Sequence, residues 1–132
     1  ARLEVRAGNL VAAAALADEV VAILRGTPAT SLHANAEALA AQIRLREGRP
    51  RQGIPHAEWA LALNQQMANS QGQAIALLLL AQCCRADGRP REAREHAIAC
   101  IELNQAMGND SGAQRAQWIL DQLDDRQCAE ES

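Results

Sequence analysis

Three histidines, four cysteines and an acidic end, "QLDDRQCAEES" from Gln122 to Ser132, carry most of the groups in this 132-residue chain that could do chemistry. Cys83 and Cys84 are adjacent, while Cys100 and Cys128 stand alone. No pair has the Cys-x-x-Cys spacing of a zinc knuckle or a redox dithiol. Cys83 and Cys100 fall on apolar helical stripes, where a thiol acts as a small hydrophobe, so both are expected to be buried and free. His56 and His96 are 40 residues apart and His33 lies nearer the start. A metal needs converging ligands, and the repeat-equivalent rings of His56 and His96 are expected on neighbouring hairpins, so the histidines read as packed or solvated side chains. The acidic end reads as a solvated tail over 127–132 rather than a carboxylate dyad. There is no glycine-rich phosphate loop and no nucleophile elbow. The expectation is a protein with no catalysis, no metal and no cofactor.

The elements that position these residues announce themselves by repetition. "EGRPRQG" (Glu47–Gly53) and "DGRPREA" (Asp87–Ala93) share Gly-Arg-Pro-Arg at an offset of 40. At the same offset His56 matches His96, Asn64-Gln65 matches Asn104-Gln105, Met67 matches Met107, and Gly72 matches Gly112. A fixed period of this size marks a solenoid of repeated units. Each unit reads as a helical hairpin: glycine closes the first helix in a left-handed cap, and proline opens the second, where its missing N–H costs nothing. In "GNDSG" (108–112), Asp110 or Ser111 is expected to cap the next helix. The first helices share one apolar stripe: Ala36, Ala76 and Ala116; Leu39, Leu79 and Ile119; Ala40, Leu80 and Leu120; Ile43, Cys83 and Leu123.

Composition agrees. Hydrophobic residues make up 48% and charged residues 22%, with two Trp and no Phe or Tyr. An Ala- and Leu-rich core suits closely packed helices, and no segment alternates with the period of a strand. The net charge of −3, with every basic residue an arginine, argues against broad nucleic-acid binding. No apolar run is long enough to span a bilayer and no signal peptide is evident, so the expected setting is cytoplasmic.

Gly88 followed by Ala93 and Ala97, with Leu77, Leu80 and Ala81 before it, resembles the tetratricopeptide repeat, as do Gly8 with Ala13 and Ala17 and Gly48 with Ala57. The 40-residue period is similar to the longer repeats of kinesin light chains and MalT-like bacterial regulators. The resemblance implies an all-α solenoid of antiparallel hairpins wound into a right-handed superhelix. Seven helices are expected, near 1–7, 9–25, 31–47, 51–68, 72–87, 90–107 and 112–126. They form units near 1–28, 29–68 and 69–108 and a partial unit at 109–126. Glu37 and Arg44 depart from the family's small or apolar positions, so that flank is expected to be wet or ion-paired. Pro55 implies that the second helix of its unit starts late, near Ile54, or kinks.

In such an array the first helix of each hairpin lines a concave groove. One line beside the buried stripe carries Asn35, Gln42 and Arg46, then Leu78, Gln82 and Arg85, then Arg115, Trp118, Gln122 and Arg126. Gln amides suit a peptide backbone, arginines suit acidic groups, and Trp118 is the expected anchor. These features point to a protein- or peptide-binding module, a fragment of a longer protein. The alternative is an effector-sensing or oligomerising domain of a bacterial regulator. Leu120 and Leu123 are expected to be left bare by the missing second helix of the last unit, inviting self-association.

Overall fold

Local chemistry at the Gly-Arg-Pro phrases sets the architecture. The computed structural model describes residues 2–25 and 30–131, with side chains described for 12–25 and 30–124. The chain folds as α1 (Arg2–Leu24), α2 (Ser31–Arg46), α3 (Pro50–Gln66), α4 (Ser70–Ala86), α5 (Pro90–Ala106) and α6 (Asp110–Glu131). No strand occurs among the described residues.

Gly48 and Gly88 take φ of +78° and +75°, a left-handed conformation that side chains with a Cβ resist. The next amide, Arg49 or Arg89, returns to the carbonyl of Arg44 or Cys84 at 2.9 and 2.8 Å, which closes the helix end. Pro50 and Pro90 then open α3 and α5. The other turns use Ala68 and Gly108 at positive φ. There the caps are Asn69 and Asn109, whose side chains accept from the amides of Gly72 and Gly112. The expected cap at Asp110 or Ser111 is therefore corrected to Asn109, the residue that the repeat places opposite Asn69.

Six helices stand where seven were expected, because α1 runs unbroken through Gly8. Gly8 is followed by Asn-Leu rather than Arg-Pro. A lone glycine costs a helix only about 1 kcal/mol, whereas proline removes a donor and bars helical geometry in the residue before it. α3 likewise starts at Pro50 and carries Pro55 inside it, so the late start near Ile54 does not occur. α6 continues to Glu131, through the segment read as a tail.

Successive helices pack side by side, and α4 also touches both α2 and α6. The main core runs from α2 to α6 around Leu80, Cys83, Cys84, Ala97, Ile119 and Leu123, and a smaller one joins α1 to α2 around Ala14, Ala17 and Val21. Two close approaches fix the angles. Gly53 leaves no room for a side chain, since a Cβ there would lie 3.0 Å from the Ala41 carbonyl and 3.1 Å from the Cys83 sulfur. Gly72 and Gly112 lie against the amides of Asn64 and Asn104, at 2.0 and 2.4 Å from where a Cβ would sit. Those asparagines are buried and donate to the carbonyls of Ala60 and Cys100. The stripe of α6 expected to be bare is covered by its own chain: Leu123 is buried and Leu120 packs against the main core. Gln114, Gln117, Asp121 and Asp124 on α6 are exposed, so the stated ground for self-association through this helix falls away.

Candidate functional site

The surface line read from sequence lies on α2, α4 and α6, and the structure joins part of it. The Arg85 guanidinium of α4 sits 4.9 Å from the centroid of the Trp118 ring of α6, which is 54% exposed. A cleft of about 250 Å³ opens between α4, α5 and α6. Leu78 and the exposed Ile75 form one wall, Arg115 stands on the other, and Cys100 and Asn104 are also among its lining. The cleft is of mixed character, with Gln71, Asn109 and Ser111 also in its lining; with Trp118 under one guanidinium and Arg115 at the cleft, the surface can hold an apolar side chain and an acidic group.

The remaining residues are dispersed. Gln42 is exposed and Gln82 and Gln122 are half-buried, at equivalent positions of the three helices. Asn35 lines a different groove, between α1 and α2. Arg46 is exposed at the end of α2, one register position away from Arg85 rather than equivalent to it. The side chain of Arg126 lies outside those described, as does that of Cys128.

Sequence reasoning missed a second cluster. Glu37 of α2 has no exposed surface and accepts four hydrogen bonds. Arg25 at the end of α1 donates from Nε at 3.0 Å and Nη2 at 3.2 Å, His33 from Nε2 at 3.0 Å, and His56 of α3 from Nδ1 at 2.8 Å. His33 precedes Glu37 by one helical turn, so both share a face. Asp18 of α1 lies 3.7 Å from His56 and is bonded by Arg44, which also reaches Glu47 at 3.2 Å. Trp59 covers the group, with Arg25 at 5.0 Å from its ring centroid and the His33 ring at 5.8 Å. The flank expected to be wet or ion-paired is ion-paired. His33 and His56, read from sequence as packed or solvated side chains, converge on one carboxylate. Burial by itself raises the pKa of Glu37, and the hydrogen bonds from Arg25, His56 and His33 more than offset it, holding the carboxyl below its ordinary range. The signal that could have exposed the cluster was a glutamate in a register where the next unit has Leu77.

Among the described residues no group of His, Cys, Asp or Glu is arranged to hold a metal ion. Cys83, Cys84 and Cys100 are buried and free. Desolvation pushes the Cys83 thiol up to about 12 and the Cys84 thiol to about 11, which leaves little thiolate for nucleophilic work. No described helix is long and apolar enough to cross a membrane. Comparison with protein-family models, curated proteins and solved structures returns no match. The fold itself defines the class: an all-α array of stacked helical hairpins.

Proposed function

We propose that this array is a non-catalytic, tetratricopeptide-like binding module that holds a protein or peptide partner against the α4–α6 surface. The observation that carries the reading is Trp118, a large aromatic left 54% exposed with the Arg85 guanidinium over its ring, on the same helix as Arg115 of the Leu78–Arg115 cleft. Exposed indole surface of this kind is a liability on a surface without a partner and a typical anchor in an interface. Arg85 and Arg115 favour a segment that pairs an apolar side chain with a carboxylate, and the Gln82 and Gln122 amides suit its backbone.

Selection of a displayed peptide library on the purified chain tests this. Peptides that join an apolar residue to Asp or Glu should be enriched, and Trp118→Ala should weaken them by about 2 kcal/mol or more. Arg115→Ala should weaken the acidic members most. Recovery of no peptides, or of peptides indifferent to both substitutions, removes the proposal.

A further inference from the structure

The cleft between one hairpin's second helix and the next hairpin's first helix is written three times in this chain. Its floor carries Ala17, Ala57 and Ala97, and its wall carries Leu39, Leu79 and Ile119 at the same register. In the second and third copies a helix lies in the cleft: α2 packs on α3 and α4, and α4 packs on α5 and α6. There Ala57, Ala97, Leu79 and Ile119 are sealed, at 0, 0, 7 and 1% exposure.

The first copy, between α1 and α2, is open. Leu39 is 53% exposed and a groove of about 410 Å³ runs along Ala17. Its lips are more apolar than those of the filled copies. Leu16 replaces the histidine of His56 and His96, Leu32 replaces the glycine of Gly72 and Gly112, and Val20 stands where Ala60 and Cys100 do. Leu16, Val20, Leu32 and Leu39 are all exposed, and Asn35 is the one polar side chain among the described residues that line the groove. Aliphatic exposure concentrated in one groove signals a covered surface rather than scattered surface leucines.

The filled copies show what fits. α2 brings Ala34 and Ala41, and α4 brings Ala74 and Ala81, each pair seven residues apart and buried. Residues two turns apart share a face, and small ones let two helices approach closely. α6 has Gln114 and Asp121 in that register, both exposed, so the last helix of a second copy would bring a polar, charged seam to an apolar groove. The filling helices are also delivered by their Gly-Arg-Pro turns into α3 and α5. α1 is one helix from Arg2 through Gly8, so residues 2–8 do not turn back to fill the open groove.

We infer that the α1–α2 groove is the docking site for an amphipathic helix of a partner protein, with small residues seven apart, seated as α2 is seated on α3 and α4. This surface is separate from the one around Trp118, so either reading can fail without the other.

A dye-labelled peptide of residues 70–86, with Cys83→Ala and Cys84→Ala, serves as the probe, and a peptide of residues 110–126 as the control. Anisotropy titration with the full chain should show saturable binding of the first and binding at least roughly tenfold weaker of the second. Leu16→Glu with Leu39→Glu should weaken the first by a similar factor. Both positions are exposed, and circular dichroism checks the fold. Leu32→Ser is a milder variant expected to act in the same direction. Equal binding of both peptides, or binding unaffected by the substitutions in a folded chain, overturns the inference. A concentration-dependent dimer that sediments without peptide and is abolished by the same substitutions also overturns it, because the groove is then an interface between copies.

Discussion

Replacing Glu37 by alanine leaves three cationic or hydrogen-bonding groups without the acceptor around which they are arranged. Removing one partner of a buried ion pair costs about 3–5 kcal/mol. Two features of the site set the value within that range. Arg25 is 36% exposed and can turn to water, which lowers its share. His33 is 1% exposed and its Nδ1 has no hydrogen-bond partner among the described residues, so the loss of Glu37 leaves the ring unsatisfied at both nitrogens. An unmet buried donor costs about 1–3 kcal/mol. The expected loss for Glu37→Ala is therefore about 3 kcal/mol at pH 7, equivalent to roughly 10 °C in Tm for a chain of this size.

The same variant has a pH signature. The folded-state pKa of Glu37 lies below its ordinary 4.5, so its stabilisation is complete above that pH and is lost as pH falls through the lower folded value. The charges facing it are Arg25 and Asp18 from α1, His33 and Arg44 from α2, and His56 from α3. Urea denaturation followed by circular dichroism, repeated from pH 7 down to pH 3, should show the gap between wild type and Glu37→Ala closing in acid. Glu37→Gln, which keeps an acceptor but loses the charge, should fall between the two. A loss below about 1 kcal/mol at pH 7, or a gap that stays constant down to pH 3, refutes the argument that an ionised, fully paired carboxylate holds this joint.

Gly72→Ala should destabilise by about 1–3 kcal/mol despite alanine's better helix propensity, because the new methyl meets the Asn64 amide. Combining it with Asn64→Ala should cost less than the sum of the two, as a double-mutant cycle in urea would measure. Cys83, Cys84 and Cys100 should react with a thiol reagent at pH 8 only as fast as the chain unfolds, since all three are buried and their pKa values are raised by desolvation. Rapid labelling of any of them in the native state, located by mass spectrometry, contradicts the packing described here.

Much of the fold was legible because its punctuation is local. Gly-Arg-Pro states a left-handed glycine, a non-helical residue and a helix start within three positions, and it is obeyed at Gly48 and Gly88. Gly8 misled because a glycine alone does not stop a helix; the proline was the missing half of the signal. The stripe of Leu79, Cys83, Ile119 and Leu123 was legible from its period, since one face of each helix is buried. Of the Glu37 cluster only the out-of-place Glu37 and Arg44 were legible; the partners Arg25, His56 and Asp18 were not, because they come from other helices at spacings that obey no period. The reason for the repeated Asn64–Gly72 and Asn104–Gly112 pairs was equally hidden, although the identities themselves were visible. At the surface line, register could not show that Asn35 opens onto a different groove from the one lined by Leu78 and Arg115.

The two inner joints of the array are built from opposite materials. At the first, Glu37 and Arg44 lie between α1 and α3; at the second, the equivalent positions are Leu77 and Cys84. A stack of units coupled only to their neighbours melts by its weakest coupling first. Here the weakest coupling changes identity with the solvent. Acid weakens the first joint by protonating Glu37, whereas cold weakens apolar burial and so bears hardest on the second. The chain therefore has no single order of fraying. Amide exchange should open from α1 in acid, and the α4–α5 amides should lose relatively more of their protection as temperature falls at neutral pH.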